Sequence, residues 1–395
     1  MLIGLLGKPS CGKSTFFKAC TLADVQIASY PFTTIKPNYG VGYVKIDCID
    51  KEFKVRCNPH KGYCTDGKRF VPVELIDVAG LVEGASEGKG LGNEFLNDLT
   101  SADALVHIVD VSGETDAGGK ETKGYNPVKD VGMLEDELDL WYLGILKKVW
   151  KTFARTLQNT KGDFAKAVAN QFSGLKVIED DVKEVVRKGG FNAEKPNEWS
   201  EGELKKFAHL IRHVSKPMII AANKCDRPDA KLNLERLHKS FQDITIVPCS
   251  ADSELALREA NSHGLISYIP GSSDFAVAGN KINEKQKNAL ELIKKNVLKV
   301  YSSTGVQEVL NKVVFDLLKY IAVFPVANTK LTDLKGNVLP DCILLPEKST
   351  ALELAYSIHT DLGKNFIKAI DCRSKQVVGK EHAVKHRDVL EIVTR

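Results

Sequence analysis

The stretch that decides the fold is GKPSCGKS, Gly7–Ser14, which follows the apolar run LIGLL at residues 2–6 and precedes TFFKA. It matches the pattern G-x-x-x-x-G-K-[ST] in its strand, loop and helix setting. Backbone N–H groups of such a loop converge on phosphate oxygens, and the positive end of the next helix faces the same anion. We expect Lys13 to reach the β- and γ-phosphates and Ser14 to ligate Mg²⁺. The predicted phosphate-binding residues are Gly7, Lys8, Pro9, Ser10, Cys11, Gly12, Lys13, Ser14 and Thr15.

A second motif, D-x-x-G at Asp77–Gly80, ends the apolar run VPVELI at residues 71–76. In P-loop nucleotidases this acidic residue holds Mg²⁺ through its shell, and the glycine N–H meets the γ-phosphate. We therefore expect Asp77 to belong to the metal site. The long polar loop at 21–37 shows no periodicity, and a loop of that length beside a phosphate site is typically functional.

The N-K-x-D motif at Asn223–Asp226 follows the apolar run PMIIAA at 217–222 and indicates guanine recognition. Asp226 can accept hydrogen bonds from guanine N1–H and the exocyclic amine, whereas adenine offers neither donor there. We expect Lys224 to pack along the base and Asn223 to tie this loop to the phosphate loop. Ser250 and Ala251, after ITIVP at 244–248, are predicted to direct a backbone N–H toward guanine O6.

The order of these motifs predicts an α/β fold: a P-loop NTPase G domain with a doubly wound, mainly parallel sheet and its site at the strand ends. Strands are predicted near 39–48, 71–76, 104–110, 217–222 and 244–248, and His107 is interpreted as a core or strand-edge residue rather than a catalytic one. About a hundred residues separate two of these strands, so we predict an inserted helical domain with one helix through 134–157 and another through 164–188.

Helices are also predicted at 283–301, 304–321 and 349–360, and the chain is α+β after residue 323. The predicted domains are a G domain at 1–112 and 214–322, a helical insertion at 113–213 and a C-terminal α+β domain at 323–395. From Asp361 onward eight Lys and Arg face five Asp and Glu. This excess, including Arg373, Lys375, Lys385 and Arg387, suggests a phosphate-binding face, although solvated surface charge is the more common explanation.

Composition excludes several classes of protein. The 395 residues are 43% hydrophobic and 27% charged, with a formal charge of +4, which permits an acidic partner such as RNA without requiring one. No apolar run is long enough to span a bilayer, and the first residues predict a strand rather than a signal peptide. Nine scattered cysteines favour reduced thiols. We expect a cytoplasmic protein that has no membrane partner and is a monomer.

The spacing Cys57-x-x-His60-x-x-x-Cys64, with Cys48 upstream, raises the alternative of a zinc site. A zinc ribbon or finger would have a second closely spaced ligand pair such as C-x-x-C, and the second half of this segment has none. We interpret the segment as a connection between two strands and leave metal binding as the open alternative.

Three further stretches carry a family resemblance: YPFTT at 30–34, DVAGLVEGASEGKGLGNEFL at 77–96, and LPDCILLPEKSTALELAYSIHTDLGKNF at 339–366. The first two resemble the Obg superfamily of translation-factor-related GTPases. The third, with the insertion and NKCD, resembles its YchF branch in the GTP-type form common in archaea. The third stretch is also similar to a TGS domain, a β-grasp module tied to RNA or ribosome binding. The resemblance covers essentially the whole chain.

The resemblance implies a GTPase switch that binds GTP and GDP with Mg²⁺ and associates with ribosomes or structured RNA through its TGS and helical domains. It makes Thr34, with Thr33 as the alternative, the switch residue that closes on Mg²⁺. It makes Gly80 the sensor of the γ-phosphate, and the implied catalytic residues are Lys13, Thr34 and Gly80. Metal ligands would be Ser14, Thr34 and Asp77.

Departures from the family pattern refine these expectations. Leu81 occupies the position of the water-orienting glutamine of Ras-like enzymes, which predicts slow intrinsic hydrolysis. Ser10 replaces the asparagine of potassium-stimulated relatives, which puts K⁺ dependence in doubt, and Ser86 replaces a histidine of some relatives. Many relatives carry NKxE, which accepts adenine, so Asp226 favours GTP. The alternatives are a YchF-type ATPase and a nucleotide-gated RNA- or ribosome-binding module with negligible turnover.

Overall fold

The computed structural model describes residues 1–21, 37–78, 84, 98–278, 282–328, 330–333 and 335–395. The chain forms two compact units, one of residues 1–40 and 74–309 and the other of residues 41–73 and 310–395. Predictions for Thr33, Thr34, Gly80, Leu81 and Ser86 lie outside the described residues.

The strands of the main sheet are β1 Leu2–Leu6, β2 Asn38–Asp47, β3 Tyr63–Thr65, β4 Lys68–Asp77, β5 Ala104–Asp110, β6 Met218–Asn223 and β7 Ile246–Pro248. They follow the order β2-β4-β1-β5-β6-β7, and β3 pairs with β4. Strands β1, β4, β5, β6 and β7 are parallel where they pair, and β3 is antiparallel to β4. Every residue of β1, β5 and β6 is buried, which fits strands covered on both faces. The predicted doubly wound P-loop fold is confirmed.

The helices of the first unit pack around this sheet and within the insertion between β5 and β6. A small antiparallel pair, β8 Ile266–Ser267 and β9 Ala276–Val277, also lies in this unit. The helix that begins at Glu284 continues through a π-helical turn at Lys294–Leu298. The helices are α1 Lys13–Thr21, α2 Val128–Thr160, α3 Phe164–Gln171, α4 Glu179–Gly189, α5 Glu201–Ser215, α6 Ala230–Ser240, α7 Ala251–Ser262, α8 Glu284–Ile293 and α9 Lys299–Tyr301.

The insertion has an aromatic core. The ring of Trp199 lies 4.8 Å from Phe191, 5.1 Å from Trp150 and 5.2 Å from Phe207. The single helix predicted through 164–188 is wrong, because it is divided into α3 and α4 by a 3-10 turn at Ser173–Leu175. Lys176 adopts a left-handed φ of 60°, which an α-helix cannot continue through.

The elements from residue 306 onward are α10 Val306–Asn311, which starts in the first unit, β10 Tyr320–Val326, β11 Ile343–Pro346, α11 Ala351–Ile358, α12 Thr360–Lys364, β12 Phe366–Asp371, β13 Val377–Val378 and β14 Val389–Thr394. The five strands form a sheet of order β11-β10-β14-β12-β13 in the second unit. Strand β10 is antiparallel to β11 and parallel to β14, and β12 is antiparallel to β14 and β13.

The predicted helix through 304–321 extends too far, because β10 already starts at Tyr320. The helical segment ends with a π-helical stretch at Lys312–Leu317, and Lys319 has a left-handed φ of 54°. Residue 323, where the sequence places the start of the C-terminal domain, therefore lies inside a strand. No helix among the described residues has the length and hydropathy needed to cross a membrane.

Candidate nucleotide-binding site

The candidate site lies at the carboxyl ends of neighbouring parallel strands of the first unit. In the register of the sheet, Leu5 pairs with Asp77, Leu6 with His107, and Asp110 with Asn223. Strand alignment therefore brings the phosphate loop, the D-x-x-G aspartate and the N-K-x-D asparagine to one edge, although 216 positions separate Gly7 from Asn223.

Gly12 allows the phosphate loop to pack closely against Asn223 of the N-K-x-D loop. Gly12 has a φ of +91°, and a Cβ at this position would lie 2.2 Å from Nδ2 of Asn223. Any side chain would therefore displace the asparagine as well as strain the backbone.

Cys11 is completely buried in the same loop, and this burial raises the pKa of its thiol to about 11. It is consequently a protonated, poorly nucleophilic thiol at neutral pH.

Lys13, Ser14 and Asp77 form a polar group at the start of α1. Nζ of Lys13 donates to Oδ1 of the buried Asp77, and Oγ of Ser14 lies 3.4 Å from Oδ2 of the same carboxylate. A hydroxyl and a carboxylate are hard oxygen donors of the kind that Mg²⁺ prefers, and few protein ligands suffice because Mg²⁺ keeps its waters and binds phosphate. The residues present therefore fit a magnesium–nucleotide complex.

Asn223 joins the base-recognition loop to the phosphate loop. Its Nδ2 donates to the backbone carbonyl of Cys11 at 2.9 Å, which is the tie that the sequence predicts. Its Oδ1 accepts the backbone N–H of Ala251 at 3.0 Å. Because Asn223 is buried, loss of the bond to Cys11 would leave Nδ2 without this acceptor away from water, whereas Oδ1 also accepts from the Cys249 thiol at 3.8 Å.

Lys224 makes a second connection between the same loops. Its Nζ donates to the carbonyl of Ser10 at 3.0 Å and to Oδ2 of Asp110 at 2.7 Å. Both Ser10 and Lys224 have left-handed φ values, of 62° each, so these two loops share an unusual backbone conformation at their contact.

Asp110 is a site residue that the sequence prediction missed. It terminates β5, its side chain is fully buried, and it also accepts the Thr115 hydroxyl at 2.7 Å. Burial opposes its ionisation, but the Lys224 ammonium and the hydroxyls of Ser112 and Thr115 outweigh that effect and hold the pKa of Asp110 below its usual range. An aspartate at the carboxyl end of an apolar strand was the available sequence signal.

The predicted guanine-contacting residues have the following surroundings. Asp226 is 30% exposed, and its Oδ2 lies 3.7 Å from Nε of Arg227. The backbone N–H of Ala251 is taken by Asn223, and that of Ser250 donates to the carbonyl of Thr304 at 2.9 Å. A contact from either N–H to guanine O6 would therefore require one of these bonds to be released or shared.

Lys8 does not direct its side chain to the site. Its Nζ forms a fully buried ion pair with Oδ2 of Asp130 at 2.9 Å and donates to the carbonyl of Thr115 at 2.8 Å. It also lies 4.1 Å from the centre of the Tyr125 ring. Lys8 therefore fixes the loop between β5 and α2, and only its backbone remains available for phosphate.

The remaining predicted residues pack in or beside the phosphate loop, in the first turn of α1, or in the core of the sheet. Gly7 is crowded, since a Cβ there would lie 2.6 Å from the Cys11 sulfur. Pro9 is buried, and a Cβ on Gly119 would come within 2.7 Å of its carbonyl oxygen. Thr15 is half-buried in the first turn of α1. His107 is buried in β5, where burial lowers its pKa to about 3, so it is a neutral core residue as predicted.

Known proteins match the chain along its whole length. Family models match at residues 2–136 (50S ribosome-binding GTPase), 221–328 (Obg-like GTPase YGR210-like, G4 motif-containing domain) and 335–394 (TGS domain). An uncharacterized GTP-binding protein from Methanocaldococcus jannaschii is 49% identical, and the match covers 100% of this chain and 99% of the relative. A protein named ribosome-binding ATPase YchF, from Bacillus subtilis, is 30% identical over 64% of this chain and 66% of its own length.

A solved structure also matches the whole chain. The crystal structure of a GTP-binding protein from Pyrococcus horikoshii OT3 matches with a TM-score of 0.80 and 40% identity, covering 100% of both chains. Sequence, domain order and fold thus lead to the same assignment. The chain belongs to the Obg superfamily of GTPases, in the YchF-related branch that carries a C-terminal TGS domain.

Proposed function

We propose that the protein is a Mg²⁺-dependent GTP-binding switch with slow intrinsic GTPase activity. The observation that carries the proposal is the hydrogen-bonded contact of Asn223 and Lys224 with the carbonyls of Cys11 and Ser10. A base-recognition loop and a phosphate loop held together in this way suit a ligand that has a purine at one end and phosphates at the other.

The preference for GTP rests on Asp226. Its carboxylate is half-buried and has two acceptor oxygens, which match the two donors on the guanine N1 and N2 edge. Adenine has no amine at that position and an acceptor at N1, so it would leave the carboxylate unpaired at a cost of about 1–3 kcal/mol. This difference corresponds to roughly 5- to 150-fold in affinity.

For hydrolysis, Lys13, Ser14 and Asp77 are the described residues in position to act. We propose that Ser14 and Asp77 hold the metal, directly and through bound water, while Lys13 neutralises the β- and γ-phosphates. Mg²⁺, when bound, would supply positive charge that offsets the negative charge developing on the phosphate oxygens. Thr34 and Gly80 remain proposed switch residues on the strength of the motifs.

Slow turnover follows from Leu81 at the position of the water-orienting glutamine. An apolar side chain can neither accept a hydrogen bond from the attacking water nor align it. We therefore propose that a partner or another group supplies this function. Nothing in the described residues argues for potassium in that role, since Ser10 offers one hydroxyl and its carbonyl already accepts from Lys224.

We further propose that the partner is the ribosome or a structured RNA, bound through the TGS and helical regions. The support is that one relative is named a ribosome-binding ATPase and that the family model over residues 2–136 is described as a 50S ribosome-binding GTPase. Within the basic stretch, Lys375 and Lys385 are exposed, whereas Arg373 donates to Glu52 at 2.5 Å and 3.1 Å. The two lysines are thus better candidates than Arg373 for contacts to phosphate. A cytoplasmic monomer is the proposed working form.

The decisive experiment measures turnover and affinity for Mg·GTP and Mg·ATP, in sodium and in potassium buffer, with and without purified ribosomes. We expect GTP-selective turnover that ribosomes raise. Asp226→Glu should reduce the preference for GTP over ATP, whereas Asp229→Glu, an exposed residue of the same loop, should leave it unchanged. Equal or better use of ATP would establish the ATPase alternative.

A second candidate function is a nucleotide-gated binding module with negligible turnover, which Leu81 favours. In that case GTP would bind tightly, ribosome or RNA binding would depend on the bound nucleotide, and turnover would stay at background under every condition. Removal of the residues after 323 without effect on ribosome and RNA binding would contradict the role proposed for the TGS region.

A further inference from the structure

A compact group of three thiols and one carboxylate lies in the second unit, in the segment between β2 and β4. One ligand atom from each of Cys48, Asp50, Cys57 and Cys64 lies within 4.8 Å of all the others. The sulfurs of Cys48 and Cys57 are 3.8 Å apart. Oδ2 of Asp50 lies 3.6 Å from the sulfur of Cys57 and 3.8 Å from that of Cys64.

These separations match a single tetrahedral ion. Bond lengths of ~2.3 Å for Zn–S and ~2.1 Å for Zn–O place two sulfurs ~3.8 Å apart and a sulfur ~3.6 Å from an oxygen. A multi-iron cluster would need its cysteine sulfurs much farther apart. We propose that Cys48, Asp50, Cys57 and Cys64 form a structural zinc site, independent of the nucleotide site.

The chain positions these donors from both ends of a loop. Cys48 directly follows β2, Asp50 lies in the turn after it, Cys57 is in the linking segment and Cys64 is in the middle of β3. The loop is poor in regular structure, with backbone bonds such as Val55 N–H to the carbonyl of Asp50 at 2.9 Å. A bound ion would therefore fix a loop that buries little apolar surface.

The charge of Asp50 supports the proposal. The residue is only 8% exposed, and among the described residues no lysine or arginine forms an ion pair with it. Its Oδ1 accepts the backbone N–H of Lys51 at 2.8 Å, which turns Oδ2 toward the sulfurs. A buried carboxylate without a cation is costly, and a divalent ion at the centre of the group would remove that cost.

A disulfide is the competing explanation for two cysteines at this distance. It would link Cys48 and Cys57 but would not account for the approach of Cys64 and Asp50 to the same point. Thiolate ligands favour Zn²⁺ among the common divalent ions, with Asp50 completing a set of four. Each thiol that binds the ion would lose its proton to solvent.

His60, the candidate ligand suggested by sequence spacing, does not belong to this group. Its Nε2 lies 3.3 Å from Asp333 and its Nδ1 3.7 Å from Asp341. The sequence spacing and the geometry therefore select the same segment but differ in the fourth candidate ligand. His60 also provides a matched control, since it lies in the same loop and a substitution there leaves all four proposed ligands in place.

The test uses the full chain, purified under reducing conditions from zinc-supplemented cells, with metal content measured by mass spectrometry. We expect one zinc per chain for the wild type and for His60→Ala, and loss of it in Cys57→Ser and Cys64→Ser. Asp50→Asn should weaken zinc binding by more than the roughly 10- to 100-fold that loss of an outer-shell partner costs, because it replaces a charged direct ligand with a neutral amide. Cobalt-loaded wild type should show the absorption of tetrahedral, thiolate-bound Co²⁺.

Should the cysteine variants fail to fold, Asp50→Asn and cobalt titration of the chelator-treated wild type still decide the question. GTP binding, measured in parallel, reports whether the first unit remains intact and separates failure of this site from failure of the proposed function. Wild type that is free of zinc as isolated and shows no cobalt spectrum after reduction would overturn the proposal. So would a Cys48–Cys57 disulfide in protein that takes up no metal once it is reduced.

Discussion

Lys224 and Asp110 form an ion pair of 2.7 Å in which the side chain of the aspartate is fully buried and that of the lysine is 20% exposed. The pair connects the end of β5 to the N-K-x-D loop, and Lys224 reaches the phosphate loop from there through the Ser10 carbonyl. The position of the base-recognition lysine thus depends on an aspartate that belongs to none of the recognised motifs.

Asp110→Asn should weaken GTP and GDP binding by about 10- to 100-fold, because Lys224 loses a charged hydrogen bond worth about 1.5–3 kcal/mol. Glu114→Gln is the matched control, since Glu114 is a nearby exposed carboxylate. Equilibrium titration with a fluorescent GTP analogue measures both variants. Unchanged affinity in Asp110→Asn, at unchanged thermal stability, would show that Lys224 holds its position without the pair.

Gly12→Ala should abolish measurable nucleotide binding. The added Cβ would lie 2.2 Å from Nδ2 of Asn223, so the amide must leave the Cys11 carbonyl. Gly144→Ala is the control: it lies on the exposed face of α2 with no atom within 4 Å of the new Cβ. That control should keep full affinity and gain about 0.5–1 kcal/mol of stability. Isothermal titration calorimetry and thermal unfolding compare the two, and tight binding by Gly12→Ala would contradict the described contact.

Lys8→Met should destabilise the first unit by about 3–5 kcal/mol, because it leaves the Asp130 carboxylate buried without its cation. Burial already raises the pKa of Asp130, and Lys8 is the main group that opposes this rise. The double variant Lys8→Met with Asp130→Asn should recover much of the loss, since no charge then remains buried. Urea denaturation measures the free energy of unfolding of the wild type and of both variants. A single variant that keeps wild-type stability but loses GTP affinity would instead assign the Lys8 side chain to the nucleotide.

Glu135 should make the helical insertion sensitive to acid. Burial opposes its ionisation, but hydrogen bonds from His213 and Arg212 outweigh this and lower its pKa to about 2, from an ordinary 4.5. The folded state therefore binds this proton less readily than the unfolded state. The resulting stabilisation is fully present above pH 4.5 and is lost as the pH falls toward 2, with a total of about 3 kcal/mol.

Intrinsic fluorescence suits this measurement, because all three tryptophans, Trp141, Trp150 and Trp199, lie in the insertion. Urea unfolding followed by tryptophan emission at pH 5 and pH 3 should show a smaller decrease in stability for Glu135→Gln than for the wild type. Glu194→Gln, an exposed glutamate of the same region, should follow the wild type. An equal decrease in both variants would show that other groups account for the acid sensitivity.

Local sequence determined the elements whose chemistry is local. The strands around residues 104–110 and 217–222 were predictable because short, nearly continuous apolar runs of that length are typical of strands in a sheet covered on both faces. The phosphate loop and N-K-x-D were recognisable because each binds its part of a nucleotide through residues adjacent in the chain. Helix ends were predicted less well: left-handed residues such as Lys176 and Lys319 end helical segments without glycine or proline as a signal.

Tertiary structure alone decided the contacts between distant residues. Strand register placed Asp110 opposite Asn223, and only that alignment made Asp110 a partner of Lys224. Local sequence does not determine which side chains become buried. Lys8, expected to bind phosphate, is instead buried in an ion pair with Asp130, and burial raises the pKa of the Cys11 thiol. Tertiary structure also decided the membership of the cysteine cluster. Chain folding brings Asp50 close to Cys48, Cys57 and Cys64, whereas His60 lies against Asp333. Sequence specified which chemical groups the chain carries, and three-dimensional packing selected which of them meet.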